Sequence, residues 1–316
     1  MGRASSAPVL LDFRGAAFHL DGMADDLLSS VKRSFNRVLP AAWRSDTPVV
    51  PVVRLSGAIG MPGLLRPSLT LATAARPLAK AFAVKRAPAV ALVINSPGGS
   101  PVQSHLIHQR IRALAIETDK HVFAFVEDVA ASGGYMLACA ADEIICDPSS
   151  ILGSIGVISA GFGFEGLIEK MGIERRVHTA GTRKGMLDPF QKEDPADVER
   201  LEAIQREIHA SFVALVKARR GDALSGDDET LFSGEFWAGT QALGLGLADG
   251  MGDLRSVLRA RYGANVRTPL VQAGGLFGRR GGVLLEQGLG AGVGAGLADG
   301  LLSAAEDRSL WSRYGR

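Results

Sequence analysis

AVALVINSPGGS, residues 89–100, opens on six consecutive apolar residues and closes on a proline-glycine-glycine turn. So short and wholly apolar a run suits a strand covered on both faces of a sheet. The stretch VFAFVEDVAASGGYMLACA, residues 122–140, repeats the plan: a strand from Val122 to Val126, a turn around Ser132-Gly133-Gly134, then a helix to about Ala140. Between the two turns lies a helical pattern from Val102 to Thr118, and Glu143 to Cys146 reads as a further strand. Upstream, Val49 to Leu55 is a strand ended by Ser56-Gly57, followed by a helical pattern over 68–86. Downstream, helices are expected from Pro195 to about Arg219 and from Gly239 to Leu245. Apolar strand, glycine turn and helix in alternation predict an α/β fold with parallel pairing.

The ends of the chain differ from this middle. Residues 1–46 read as an N-terminal extension, with an amphipathic helix from Asp25 to Leu39 that could rest on the domain, on another subunit or on an anionic membrane. Residues 47–268 form the expected domain, and 269–316 a Gly/Ala-rich tail. The 316 residues, 47% hydrophobic, suffice for a sizeable core. A net charge of +2, from 35 basic and 33 acidic residues, gives no strong field, so nucleic acid is not an expected partner. Cys139 and Cys146 show no zinc-ligand spacing, and nothing requires them to pair. The first twenty residues lack the long apolar core of a secretory signal, and no uncharged apolar stretch of about twenty residues occurs. The expected location is therefore cytoplasmic, with peripheral membrane contact open.

Both glycine turns follow a buried strand and precede a helix, whose first N–H groups are unpaired and lie at the positive end of its dipole. Glycine lets such backbone approach a substrate closely. A serine at that point, Ser132, beside N–H donors is what acyl transfer requires: a nucleophile and an oxyanion hole. The competing explanation is that Ser132 simply caps its helix, as serine often does. A nucleophile also needs a base. Of the six histidines none sits in a marked motif, although His178 remains open. Lys184 stands in a glycine-flanked loop, Gly181-Thr182-Arg183-Lys184-Gly185, apart from the charged helices. A lysine kept neutral by burial can serve as base; a solvated loop lysine is the alternative.

LVINSPGGS (92–100), AASGGYMLACAADEI (130–144), LGSIGVI (152–158), GTRKGMLDP (181–189) and FSGEFWAGTQALGLGLAD (232–249) together resemble, in order, the signal peptide peptidase A family, the S49 serine peptidases. The resemblance spans about 47–255. It implies the Clp peptidase/crotonase-like fold of repeated ββα units. It further implies a Ser/Lys dyad with Ser132 as nucleophile and Lys184 as general base. Gly99 and Gly133 match the oxyanion-hole positions, and Ser154 matches a serine that orients the lysine amine. No metal or organic cofactor is implied. The implied substrates are small or unfolded apolar peptides, remnant signal peptides among them, and the implied assembly is a homo-oligomeric ring or dome. The chain departs from many members in showing no evident N-terminal transmembrane anchor and in carrying the glycine-rich tail. Two other functions use the same glycine turns: a crotonase-like enzyme acting on acyl-CoA, and a catalytically silent scaffold.

Overall fold

The computed structural model describes residues 47–60, 68–272 and 308–315. The amphipathic segment 25–39 lies outside them. The described residues from Val49 onward form one compact unit. Its elements run β1 (Val52–Ser56), α1 (Leu71–Phe82), β2 (Ala89–Ser96), α2 (Pro101–Thr118), β3 (His121–Ala131), α3 (Gly133–Ala138), β4 (Glu143–Cys146), β5 (Ile151–Gly153), α4 (Glu165–Lys170), α5 (Pro195–Arg220), α6 (Asp228–Leu231), β6 (Phe236–Ala238), α7 (Gly239–Gly244), β7 (Gly250–Met251) and α8 (Leu254–Tyr262).

β1, β2, β3, β4 and β7 lie side by side in that order, every pair parallel. This is the α/β architecture expected from the alternation of apolar strands and glycine turns. β3 is long enough to serve two neighbours. Phe123 to Val126 pair with β4, and Val129 to Ala131 pair with β5, which in turn pairs antiparallel with β6. β2 and β3 also stay paired towards their C-terminal ends. Their pairing resumes at Ser96↔Ala130 after an irregularity following Ile94, so both strands reach the turns that follow them while still hydrogen-bonded.

Side-chain alternation divides the strands between two layers. Leu55, Leu92, Ile94, Ala124 and Ile144 face the larger core, shared with Leu78, Ile107, Tyr135, Leu137 and Val216 of the helices. Ala91, Val93, Phe123, Phe125 and Ile145 face a smaller core closed by Leu258 of α8. Tyr135 is fully buried, and its hydroxyl donates to the Leu247 carbonyl at 2.9 Å. Arg220 is also buried. It makes a two-pronged contact with Asp249 (2.9 and 2.8 Å), whose carboxylate also accepts the Ile144 N–H at 2.7 Å. That contact ties the end of α5 to the turn before β7. Cys139 and Cys146 are free thiols, and burial pushes them up to about 12 and about 11 respectively. Thiols held so far from the thiolate form are poor nucleophiles.

Two findings bear on the expected tail. Residues 267–271 run parallel to the first strand, with Val50 N–H donating to Arg267 O (2.8 Å) and Val271 N–H to Val52 O (2.8 Å). Residues 308–315 fold back onto β3 and β5, where Tyr314 is buried.

Candidate active site

The site is built where β1, β2, β3 and β5 end. Three turns meet there. The turn after β1 brackets the one after β2: Ile59 N–H donates to Gly98 O (2.8 Å), and Ser100 N–H to Ile59 O (2.7 Å). The turn after β2 packs in turn against the one after β3. A Cβ placed on Gly98, whose φ is 103°, would stand 2.8 Å from the Ser132 Cβ and 2.9 Å from the Gly133 nitrogen. Only glycine fits there, on grounds of both space and backbone conformation. Gly99, at φ 137°, has the Ile59 backbone against it in the same way.

Ser132 sits at φ 52°, ψ −122°, a conformation that side-chain-bearing residues rarely adopt. It stands at the head of α3, yet its hydroxyl makes no capping hydrogen bond. Ser100, at the head of α2, does cap, accepting the Gln103 N–H. The two serines thus divide the explanations that sequence left open. Ser100 stabilises its helix, whereas Ser132, half-buried, occupies a strained strand-to-helix turn without capping. The Ser132 N–H is held by the Gly153 carbonyl at 2.8 Å. Gly133 opens α3, so its N–H has no acceptor within the helix. Ser104, fully buried, backs it: a Cβ on Gly133 would lie 2.2 Å from the Ser104 Oγ.

Ala131 pairs with Gly153, so Ser132 and Ser154 follow at the same level of neighbouring strands. Both have φ 52°. Ser154 is buried, its N–H donates to Glu235 O (2.6 Å), and its Oγ lies 3.2 Å from the Tyr314 hydroxyl. The structure therefore brings Ser132, Gly133, Ser154 and the Gly98-Gly99 turn together.

Lys184 is not part of that cluster. It is exposed, and its backbone N–H closes a turn with Gly181 O at 3.2 Å. The burial expected of a lysine base is not found at Lys184. Residues 157–193 pack little against the domain and leave apolar side chains in solvent, including Ile158 (64% exposed), Phe162 (80%) and Met171 (64%). His178 lies in the same segment and is exposed too. His209 is placed differently, its Nε2 3.1 Å from the Ile155 carbonyl. Among the described residues no three His, Cys, Asp or Glu side chains converge as metal ligands, and no helix is long and apolar enough to cross a membrane.

Sequence reasoning did not find three contributors to this geometry. These are Ile59 behind the Gly98-Gly99 turn, Ser104 behind Gly133, and Tyr314 on Ser154. Gly57 and Gly60 flank Ile59 and were a local signal for the first. The other two depend on packing alone.

The family model for peptidase family S49 matches residues 115–266, which include Ser132, Ser154 and Lys184. A Methanocaldococcus jannaschii protein named as a protease is 32% identical over 211 residues, 66% of this chain and 67% of its own length. The chloroplastic serine protease SPPA of Arabidopsis thaliana is 35% identical over 185 residues, 58% of this chain and 27% of its own. A Brucella abortus protein bearing the name of the Na(+)/H(+) antiporter NhaA is 57% identical over 284 residues, 88% of this chain. The chain spans only 38% of that relative's length. A solved structure of a membrane-bound stomatin-specific protease aligns over 72% of the chain and 93% of its own, at 16% identity and a TM-score of 0.42. With the matched region enclosing the strained Ser132 turn, and a relative covered over two thirds of its length, the chain belongs to peptidase family S49.

Proposed function

We propose that the protein is a serine endopeptidase in which Ser132 attacks the peptide carbonyl and Lys184 serves as general base. The observation that carries this reading is the conformation of Ser132: a non-glycine residue at positive φ, heading a helix it does not cap, pressed against a second glycine turn. Strain of that kind costs roughly 1–3 kcal/mol and persists where the surroundings enforce it. In the proposed cycle the neutral Lys184 amine takes the Ser132 proton as the Oγ–carbon bond forms. The N–H groups of Gly99 and Gly133 receive the oxyanion. Lys184 then gives its proton to the leaving amine, and water hydrolyses the acyl ester.

A general-base lysine must be desolvated, and the single chain leaves Lys184 exposed. The apolar side chains of 157–193 supply the means. A second copy covering Ile158, Phe162 and Met171 buries the same segment that carries Lys184, so the active form is a homo-oligomer. Ser154, level with Ser132, orients the amine once it is seated. The substrates are the short or unfolded apolar peptides that the family resemblance implies.

The test is turnover of an unstructured apolar peptide. Wild type cleaves it, and Ser132→Ala loses at least ~1000-fold in kcat/KM while its circular dichroism and melting transition are retained. Equal turnover by the two proteins sinks the reading.

A further inference from the structure

One side chain of α5 reaches the site without a place in that cycle. Phe212, Val216 and Arg220 are buried and share one face of the helix. One turn further towards its N-terminus the same face presents His209, which is half-buried. Its Nε2 lies 3.1 Å from the Ile155 carbonyl oxygen. A carbonyl oxygen only accepts, so Nε2 carries the proton and donates. Ile155 is fully buried, where a carbonyl needs a donor. Burial then fades within three residues: Gly156 and Val157 are half-buried, and Ile158 is exposed. The bond thus stands at the root of the 157–193 segment, which carries Lys184.

We propose that His209 is a positioning residue for catalysis, which through the Ile155 carbonyl fixes the Gly153–Ile155 turn against Ser132. The inference rests on the Ser132 peptidase reading. The turn touches the proposed nucleophile directly, since Gly153 O accepts the Ser132 N–H at 2.8 Å. Gly153 and Ser154 stand at positive φ in succession, 105° and 52°, a conformation that the surroundings must enforce. On one side the chain leading into β6 enforces it. Ser154 N–H donates to Glu235 O at 2.6 Å, and a Cβ on Gly156 would stand 3.0 Å from the Gly234 Cα. From α5, His209 holds the residue that follows Ser154. Without that donor the Ile155 carbonyl is left unpaired in a buried position, a state that the turn relieves by shifting. The Gly153 carbonyl and the Ser154 hydroxyl then move with it, and Ser132 loses its fixed position. His209 acts at one remove from the reacting atoms, so its loss falls on kcat rather than on KM.

The test compares two variants of the full chain. His209→Gln keeps a side-chain N–H that can donate to the Ile155 carbonyl, and His209→Leu has similar bulk and no donor. Both are read by kcat and KM on an unstructured apolar peptide, with Ser132→Ala as the blank, and by circular dichroism and thermal melting. His209→Leu is expected to fold, to melt within about 5 °C of wild type, and to lose about ten- to a hundred-fold in kcat with KM changed less than about two-fold. His209→Gln recovers kcat to within about three-fold of wild type. Three results overturn the positioning role while leaving the peptidase reading intact. One is a wild-type kcat in His209→Leu. Another is a kcat in His209→Gln as low as in His209→Leu, which would mean that the donor is not what matters. The third is failure of His209→Leu to fold, which would make His209 a residue of general stability. Absence of Ser132-dependent turnover from the wild type overturns the peptidase reading, and the role of His209 with it.

Discussion

On the proposed dyad, Lys184→Ala is expected to lower kcat/KM on an unstructured apolar peptide by about 1000-fold or more, because Ser132 in its strained turn would have nothing to take its proton. The substitution falls on an exposed residue, so its effect on stability should be close to zero. That contrast is what makes it informative. A solvated surface lysine can be removed at no cost to anything; a lysine that a second copy seats beside Ser154 cannot. The same account predicts that wild-type specific activity falls on dilution as the assembly dissociates. Light scattering should show the oligomer at the concentrations where activity is high. Near-normal turnover by the alanine variant would remove Lys184 from the mechanism.

Gly98→Ala should be nearly as damaging, for a different reason. Its Cβ would stand 2.8 Å from that of Ser132 and 2.9 Å from the Gly133 nitrogen, and its φ of 103° already disfavours any side chain. Neither neighbour is a flexible side-chain end that can swing away. The turn must shift, moving Ser132 and the Gly133 N–H, the proposed nucleophile and oxyanion donor, together. A displacement on the order of 1 Å at reacting groups costs about 100-fold in rate, and the backbone strain adds about 1–3 kcal/mol of lost stability. Kinetics and thermal melting of the variant read both. An unaltered melting temperature and kcat/KM would mean that the two turns do not depend on one another.

The parts of this site that could be read from sequence are those encoded locally. A buried strand announces itself by consecutive apolar residues, and a strand-to-helix turn by its glycines, so β2, β3, α2 and α3 were legible together with Ser132 at the second turn. β5, β6 and β7, of three, three and two residues, are too short to carry a period. Each exists because a neighbour offers it an edge: β3 to β5, β5 to β6 and β4 to β7. α8 hides for the opposite reason, as its single fully packed side chain, Leu258, stands among arginines. Composition suggested a tail from residue 269. Hydrogen bonds that no pattern reveals carry the chain along β1 as far as Val271. Lys184 was singled out by its loop and by family resemblance, and in the structure it is exposed, away from the Ser132 cluster. Tyr314 could not have been found at all, since its partner lies 160 positions away and the contact is one side chain deep.

The central claim is that Ser132 forms the covalent intermediate, and it is tested most directly by catching that intermediate. Wild-type protein mixed with an apolar peptide ester, quenched in acid within the first turnover and digested for mass spectrometry, is predicted to carry the acyl group on Ser132, with no adduct in Ser132→Ala. Acylation of a different residue, or steady turnover of the ester by Ser132→Ala at the wild-type rate, would contradict the account.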